Sequence, residues 1–90
     1  MSKKPLVSVC IPTFNREKII AHTLESVMNQ SYKNIEIIIS DNCSIDNTFE
    51  ILKKYSEKDT RIKLFRMKEN KGPVENWKNC FVNSSSKFIK

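Results

Sequence analysis

Ile35-Glu36-Ile37-Ile38-Ile39-Ser40 (IEIIIS) is apolar at nearly every position instead of alternating, the pattern of a parallel strand covered on both faces. Asp41 stands just past its end. A strand of this kind needs helices above and below it, so the flanking segments decide whether a layered sheet can form.

On the N-terminal side, Leu6 to Ile11 (LVSVCI) is a short apolar run rich in β-branched residues, and Pro12, which lacks a backbone donor, is expected to end it. Asn15 is placed as the cap of a helix carrying Ile20, Leu24, Val27 and Met28 at i, i+4, i+7 and i+8, and ending near Asn29-Gln30-Ser31. On the C-terminal side, Ser44 or Asp46 is placed as the cap of a second helix with Phe49, Leu52 and Tyr55 at helical spacing, closed by Lys58-Asp59-Thr60. Arg61 to Met67 alternates as a third, weaker strand, and Lys68 to Lys71 is polar loop.

Gly72-Pro73 signals a turn, with Pro73 at the first position of a third helix that runs to about Asn83. Its apolar stripe is Val74, Trp77 and Phe81. Trp77 is assigned to the core, where truncation to alanine is predicted to cost about 3–5 kcal/mol. Ser84 to Ser86 reads as loop, and Lys87 to Lys90 opens a fourth strand. Strand–helix units in series imply an α/β fold, a Rossmann-like parallel sheet with right-handed crossovers, here as a single partial domain over residues 1–90.

Composition agrees with a folded core. The chain has 90 residues, 39% hydrophobic and 29% charged, with only one Gly and three Pro, so it is globular and too short for a second domain. No apolar run approaches the ~20 residues of a membrane span, and Met1 to Pro5 lacks the apolar region of a secretory signal, so a cytoplasmic location is expected. Cys10, Cys43 and Cys80 are widely spaced and odd in number, which suits reduced thiols without a disulfide; with His22 they form no local metal-ligand pair. The net charge of +6 comes from lysines interleaved with acids along the whole chain, which argues against nucleic acid and leaves a weak attraction to anionic membrane surfaces.

In open parallel sheets, ligands bind beyond the carboxyl ends of the strands. The residues there are Pro12, Thr13, Phe14 and Asn15 after the first strand, Asp41 and Asn42 after the second, and Arg66 to Gly72, including Lys71, after the third. A hydroxyl, an aromatic ring, a carboxylate and cations together suit a nucleotide: the ring flanks the base, the carboxylate accepts from a base N–H or a ribose hydroxyl, and the cations face phosphates. Each residue also has a plainer reading. Phe14 can be core packing, Asp41 a turn former or cap, Arg66 and Lys71 solvated surface, and Gly72 only a turn. Asp41→Ala separates the two roles of Asp41: a contact residue leaves the fold intact, a structural one does not.

The segments VSVCIPTFNRE (Val7 to Glu17), TLESVMNQSYKNIEIIISDNCSIDNT (Thr23 to Thr48), RIKLFRMKENKGPVENW (Arg61 to Trp77) and SSSKFIK (Ser84 to Lys90), in this order, resemble the N-terminal, nucleotide-binding portion of a family 2 glycosyltransferase of the GT-A fold. The resemblance implies that Pro12-Thr13-Phe14-Asn15 is the turn against which the nucleoside lies and that Asp41 contacts base or ribose. Asn42 stands where many relatives have a second aspartate, Cys43 where many have glycine, and Glu75-Asn76 where many have Ala-Arg-Asn.

It further implies a nucleoside-diphosphate sugar donor (UDP, GDP or dTDP) and a saccharide or lipid-linked acceptor, in cell-surface polysaccharide synthesis. A divalent metal, Mg or Mn, belongs to the family's reaction, but the acidic D-x-D motif that holds it follows the fourth strand, so its ligands and the catalytic carboxylate are not among these 90 residues and the chain alone is expected to be inactive. A non-catalytic nucleotide-binding or interaction module is the alternative. A receiver-like domain with Asp41 as phosphoacceptor lacks an acidic pair after the first strand. Edge pairing through the fourth strand makes a homodimer a further expectation.

Overall fold

The isoleucine-rich strand lies inside the sheet with a neighbour on each side. The computed structural model describes residues 7–30, 33–84 and 88–89, which form β1 (Val7–Thr13), α1 (Ile20–Met28), β2 (Ile35–Asp41), α2 (Thr48–Lys58), β3 (Ile62–Arg66), α3 (Pro73–Val82) and β4 (Phe88–Ile89). The four strands make one parallel sheet in the order β3-β2-β1-β4. The expected Rossmann-like α/β architecture is therefore present. Leu6, Ser85 to Lys87 and Lys90, which the sequence reading assigned to strand starts, loop and strand end, lie outside the described residues.

Side chains alternate across a strand, and β2 divides its residues between the two layers. Ile35, Ile37 and Ile39 join Val9, Ile20, Leu24, Leu52 and Ile62 in the apolar core under α1 and α2. Ile38 and Ser40 face α3, where Ile38 O accepts from Cys80 Sγ at 3.4 Å and Ser40 Oγ donates to Asn76 Oδ1 at 2.7 Å. Both faces of β2 are covered, and all of its residues are buried. Burial pushes the Cys80 thiol up to about 12, so it packs as a small apolar group.

Pro12 does not end β1. Val7 N donates to the Asn34 carbonyl and Thr13 O accepts from Asn42 N, so odd-numbered residues of β1 bond toward β2. Pro12 turns its donorless nitrogen to the other side, where the described part of β4 pairs only with Val7 and Ser8.

Nor does Asn15 cap α1, which begins at Ile20. Asn15 adopts a left-handed conformation (φ 50°), and the loop before α2 satisfies the donors of this turn. Asn15 N donates to Ser44 Oγ (2.9 Å), Arg16 N to Thr48 Oγ1 (2.7 Å) and Glu17 N to Asp46 Oδ2 (3.3 Å). In return Ile45 N donates to Asn15 Oδ1 at 2.9 Å. The two loops close on each other like teeth, and the helix starts only after they part. Desolvation pushes the Asp46 carboxyl up, but bonds from Thr48 and Glu17 outweigh it and leave it below the ordinary range.

The largest departure from expectation is α3. Its sheet-facing side is Asn76, Asn79 and Cys80, whereas Val74, Trp77 and Phe81 point outward, with Trp77 46% exposed. Both sets recur at helical spacing, so periodicity alone does not choose between them. The choice follows from the sheet: the face above β2 offers the Ser40 hydroxyl, which Asn76 and Asn79 satisfy, and a buried hydroxyl facing Trp and Phe would lack partners. Trp77 instead stacks on Phe81 with ring centroids 5.3 Å apart. Trp77→Ala is therefore expected to cost about 1 kcal/mol, the scale of one aromatic pair, in urea unfolding. A loss of about 3 kcal/mol or more would return Trp77 to the core.

Gly72, with φ 90°, is the N-cap of α3, and Pro73 follows at its first position as expected. A Cβ at Gly72 would meet nothing within 4 Å, so the left-handed backbone, not space, calls for glycine. Among the described residues, no helix is long and apolar enough to cross a membrane.

Candidate functional site

The carboxyl ends of β1 and β2 open into a cleft of about 320 Å³, at the small end of the ligand-site range. Pro12, Thr13, Phe14 and Arg16 form one wall, Asn42 enters from the loop after β2, and Asn70, Pro73 and Asn76 close the far side. Pro12 and Phe14 supply the apolar surface. The polar groups are amides, one hydroxyl and one guanidinium.

Thr13 is 5% exposed, and its Oγ1 is a buried polar atom without a hydrogen-bond partner in the protein. Its carbonyl oxygen is doubly engaged, accepting from Asn42 N at 2.9 Å and from Asn76 Nδ2 at 3.2 Å. A buried hydroxyl without a partner costs about 1–3 kcal/mol; Thr13 follows Val9 and Ile11 on the face that carries the apolar core, and its Oγ1 has no surface open to the cleft.

Asp41 is placed differently from Thr13. Its side chain is fully buried: Oδ2 accepts from Ser44 N at 3.0 Å and Oδ1 from Ser44 Oγ at 2.5 Å. Arg66 Nε lies 3.7 Å from Oδ2, Arg66 Nη2 donates to Ser44 O at 3.1 Å, and the guanidinium covers the Phe49 ring at 4.5 Å. Asp41 and Arg66 thus fold the loop behind the cleft instead of lining it. Lys71 lines a separate groove of about 240 Å³ beside α3, and Gly72 and Asn15 act through their backbone turns and loop contacts.

Of the residues read from sequence, the structure brings Pro12, Thr13, Phe14 and Asn42 together on the cleft wall. Asn70 falls within the Arg66 to Gly72 segment read as facing the ligand, whereas Arg16 and Asn76 were not read as site residues. Arg16 is the cation that lines the cleft, where its Nη1 donates to the Phe14 carbonyl at 3.2 Å and to the Asn15 carbonyl at 3.4 Å. A polar Asn76 within a helix otherwise marked by Val, Trp and Phe was the available sign of an inward polar contact.

The profile of Glycosyl transferase family 2 matches residues 8–89. The chain belongs to glycosyl transferase family 2. Within this family it is 37% identical over 86 residues to the GalNAc(5)-diNAcBac-PP-undecaprenol beta-1,3-glucosyltransferase of Campylobacter jejuni, covering 94% of this chain and 28% of that protein. It is 45% identical over 69 residues to the putative teichuronic acid biosynthesis glycosyltransferase TuaG of Bacillus subtilis, covering 77% of this chain and 27% of that one. The structure of S. aureus TarS 1-349 in complex with UDP-GlcNAc superposes with a TM-score of 0.84 at 30% identity, over 92% of this chain and 24% of that chain. The chain thus spans about a quarter of the length of these relatives.

The glycosyl transferase family 2 resemblance also implied a divalent metal. Among the described residues, no carboxylate lines the cleft and no three of His, Cys, Asp and Glu converge on one point. Amides, a hydroxyl and a guanidinium are a poor donor set for a hard divalent cation, so these residues do not fit one.

Proposed function

We propose that the cleft holds the nucleoside of a nucleoside-diphosphate sugar, and that the protein passes the sugar to a saccharide or lipid-linked acceptor during cell-surface polysaccharide synthesis. The cleft at the carboxyl ends of β1 and β2, where apolar Pro12 and Phe14 stand beside asparagine amides and the Arg16 guanidinium, carries this reading. The base or ribose lies against Pro12 and Phe14, with the Asn42 and Asn76 amides beside its polar edge. Arg16 faces the diphosphate. Asp41, Arg66 and Gly72 serve the nucleoside through the loops they shape, and Lys71 through its backbone. UDP, GDP and dTDP are the candidate nucleotides, and the TarS complex with UDP-GlcNAc supports the UDP class first.

Transfer needs more than this cleft. A departing nucleoside diphosphate gathers negative charge that cations must stabilise, and an acceptor hydroxyl needs a base. Arg16 addresses the first need in part, and no carboxylate lining the cleft meets the second. The 90-residue chain by itself is expected to bind donor without transferring its sugar. A cytoplasmic protein acting on a lipid-linked acceptor at the membrane face fits the undecaprenol-linked substrate in the name of the Campylobacter relative.

Arg16→Ala tests the proposal because it removes a cation that lines the cleft and leaves the bond from Arg16 N to Thr48 in place. Apo stability is expected to change by less than about 0.5 kcal/mol, since the guanidinium bonds exposed carbonyls of Phe14 and Asn15. Nucleotide affinity, measured by isothermal titration calorimetry with UDP, GDP and dTDP, is expected to fall about fivefold to tenfold for the cognate nucleotide. Binding that is tight in the natural protein and unchanged in Arg16→Ala would remove Arg16 from the site.

A further inference from the structure

We propose that the side-chain amides of Asn42 and Asn70 form a latch that holds the segment between β3 and α3 as a wall of the cleft, making Asn42 a positioning residue for the bound nucleotide. The proposal rests on the nucleotide reading above for its functional consequence and on geometry for the latch itself. Asn42 is 3% exposed, and its Nδ2 donates to Asn70 Oδ1 at 2.9 Å. Asn42 Oδ1 accepts from Lys71 N at 3.1 Å, and Asn70 Oδ1 also accepts from Gly72 N at 2.8 Å. Two backbone N–H groups therefore point at the two amide oxygens, which settles how each amide is turned and leaves Asn42 Nδ2 facing Asn70.

Before the latch, Met67 N donates to Asp41 O at 2.9 Å and Cys43 Sγ to Lys68 O at 3.6 Å; after it, α3 is seated by Asn76. Between these anchors the amide pair ties down residues 70–72. It also couples the wall to the opposite side of the cleft, because Asn42 N donates to Thr13 O at 2.9 Å. Asn42 and Asn70 both line the cleft, so a shift of the latch moves its wall directly.

In this chain the latch uses both ends of an amide, with Asn42 Nδ2 donating and Oδ1 accepting. A carboxylate at position 42 still accepts from Lys71 N but sets its second oxygen against Asn70 Oδ1. Turning the Asn70 amide to donate instead takes the acceptor away from Gly72 N. A protonated carboxyl group restores the missing donor, so Asn42→Asp converts the latch into a pH-dependent one. The charged groups around that position are Asp41 behind it with Arg66 3.7 Å away, Arg16 on the cleft wall, and Lys71 in the latched segment. α3 contributes Pro73 and Asn76 to the cleft, neither of them charged. Arg16, Arg66, Lys71 and the Lys71 N–H favour the ionised form, Asp41 and burial the protonated one; at a position 3% exposed burial dominates and raises the titration above the ordinary carboxyl range.

The test uses the full-length protein, with Asn42→Asp and Asn70→Ala as variants; Asn70 is an exposed loop residue, so its truncation does not threaten the fold. Hydrogen exchange over residues 67–72 and nucleotide affinity are read from pH 8 to about pH 5. Expected are faster exchange over this segment in both variants at pH 8 and a roughly fivefold to tenfold loss of UDP affinity. In Asn42→Asp both recover as pH falls, a profile that neither the natural protein nor Asn70→Ala shows. Unchanged exchange in both variants would overturn the latch, and faster exchange with unchanged affinity would overturn its positioning role. If the natural protein binds none of the nucleotides, the nucleotide reading fails, and the exchange arm alone still decides the latch.

Discussion

Replacing Asp41 by alanine is expected to lower the unfolding free energy by about 3–5 kcal/mol, a large part of the stability of any domain of this size. The carboxylate is fully buried and accepts from both the N–H and the hydroxyl of Ser44. Hydrogen bonds to a charged group contribute about 1.5–3 kcal/mol each, and alanine leaves both Ser44 donors buried without a partner. Arg66 adds little to this figure, because its side chain is 44% exposed and its ion pair with Asp41 is screened by solvent. Ser44 also accepts from Asn15 N, so the damage passes from the loop after β2 to the turn after β1. Urea denaturation followed by circular dichroism measures the loss. A variant that keeps its stability and loses only nucleotide affinity would make Asp41 a ligand contact.

Leu52→Ala is expected to cost a further large amount, about 2–5 kcal/mol, for a different reason. Leu52 is fully buried where α2 meets the core of Leu24, Ile37 and Ile39, and truncation leaves a cavity that the sheet cannot collapse to fill. The same experiment on Ile45, 88% exposed in the loop before α2, is expected to change stability by less than about 0.5 kcal/mol. Equal losses at the two positions would contradict the placement of α2 over the sheet.

The layers were legible because β2 states them in a run of isoleucines, and because Pro73 and Gly72 mark a helix start with chemistry that admits few alternatives. The strand-end residues Pro12, Thr13, Phe14 and Asn42 were legible for the same reason: a parallel sheet dictates where its carboxyl ends meet. What escaped the sequence depends on partners far along the chain. Asn15 has the composition of a helix cap, but its bonds to Ser44 and Ile45 lie about 30 residues away and hold it in a turn. Arg66, read as a cation facing phosphate, lies 3.7 Å from Asp41 and over the Phe49 ring, neighbours that its place after the third strand does not announce. On α3 the apolar stripe was read as the inner face, whereas the Ser40 hydroxyl on the sheet selects the asparagine face. Periodicity reports that a helix has two sides. Which side turns inward is decided by the surface it meets.

An amide chemical-shift titration with UDP, GDP and dTDP addresses the cleft most directly. Binding there predicts shifts at Thr13, Phe14, Arg16, Asn42 and the 70–72 segment for at least one nucleotide, with Trp77, Phe81 and Val82 on the outer face of α3 unmoved. Shifts concentrated on that outer face, or none at millimolar nucleotide, would contradict a nucleoside site at the ends of β1 and β2.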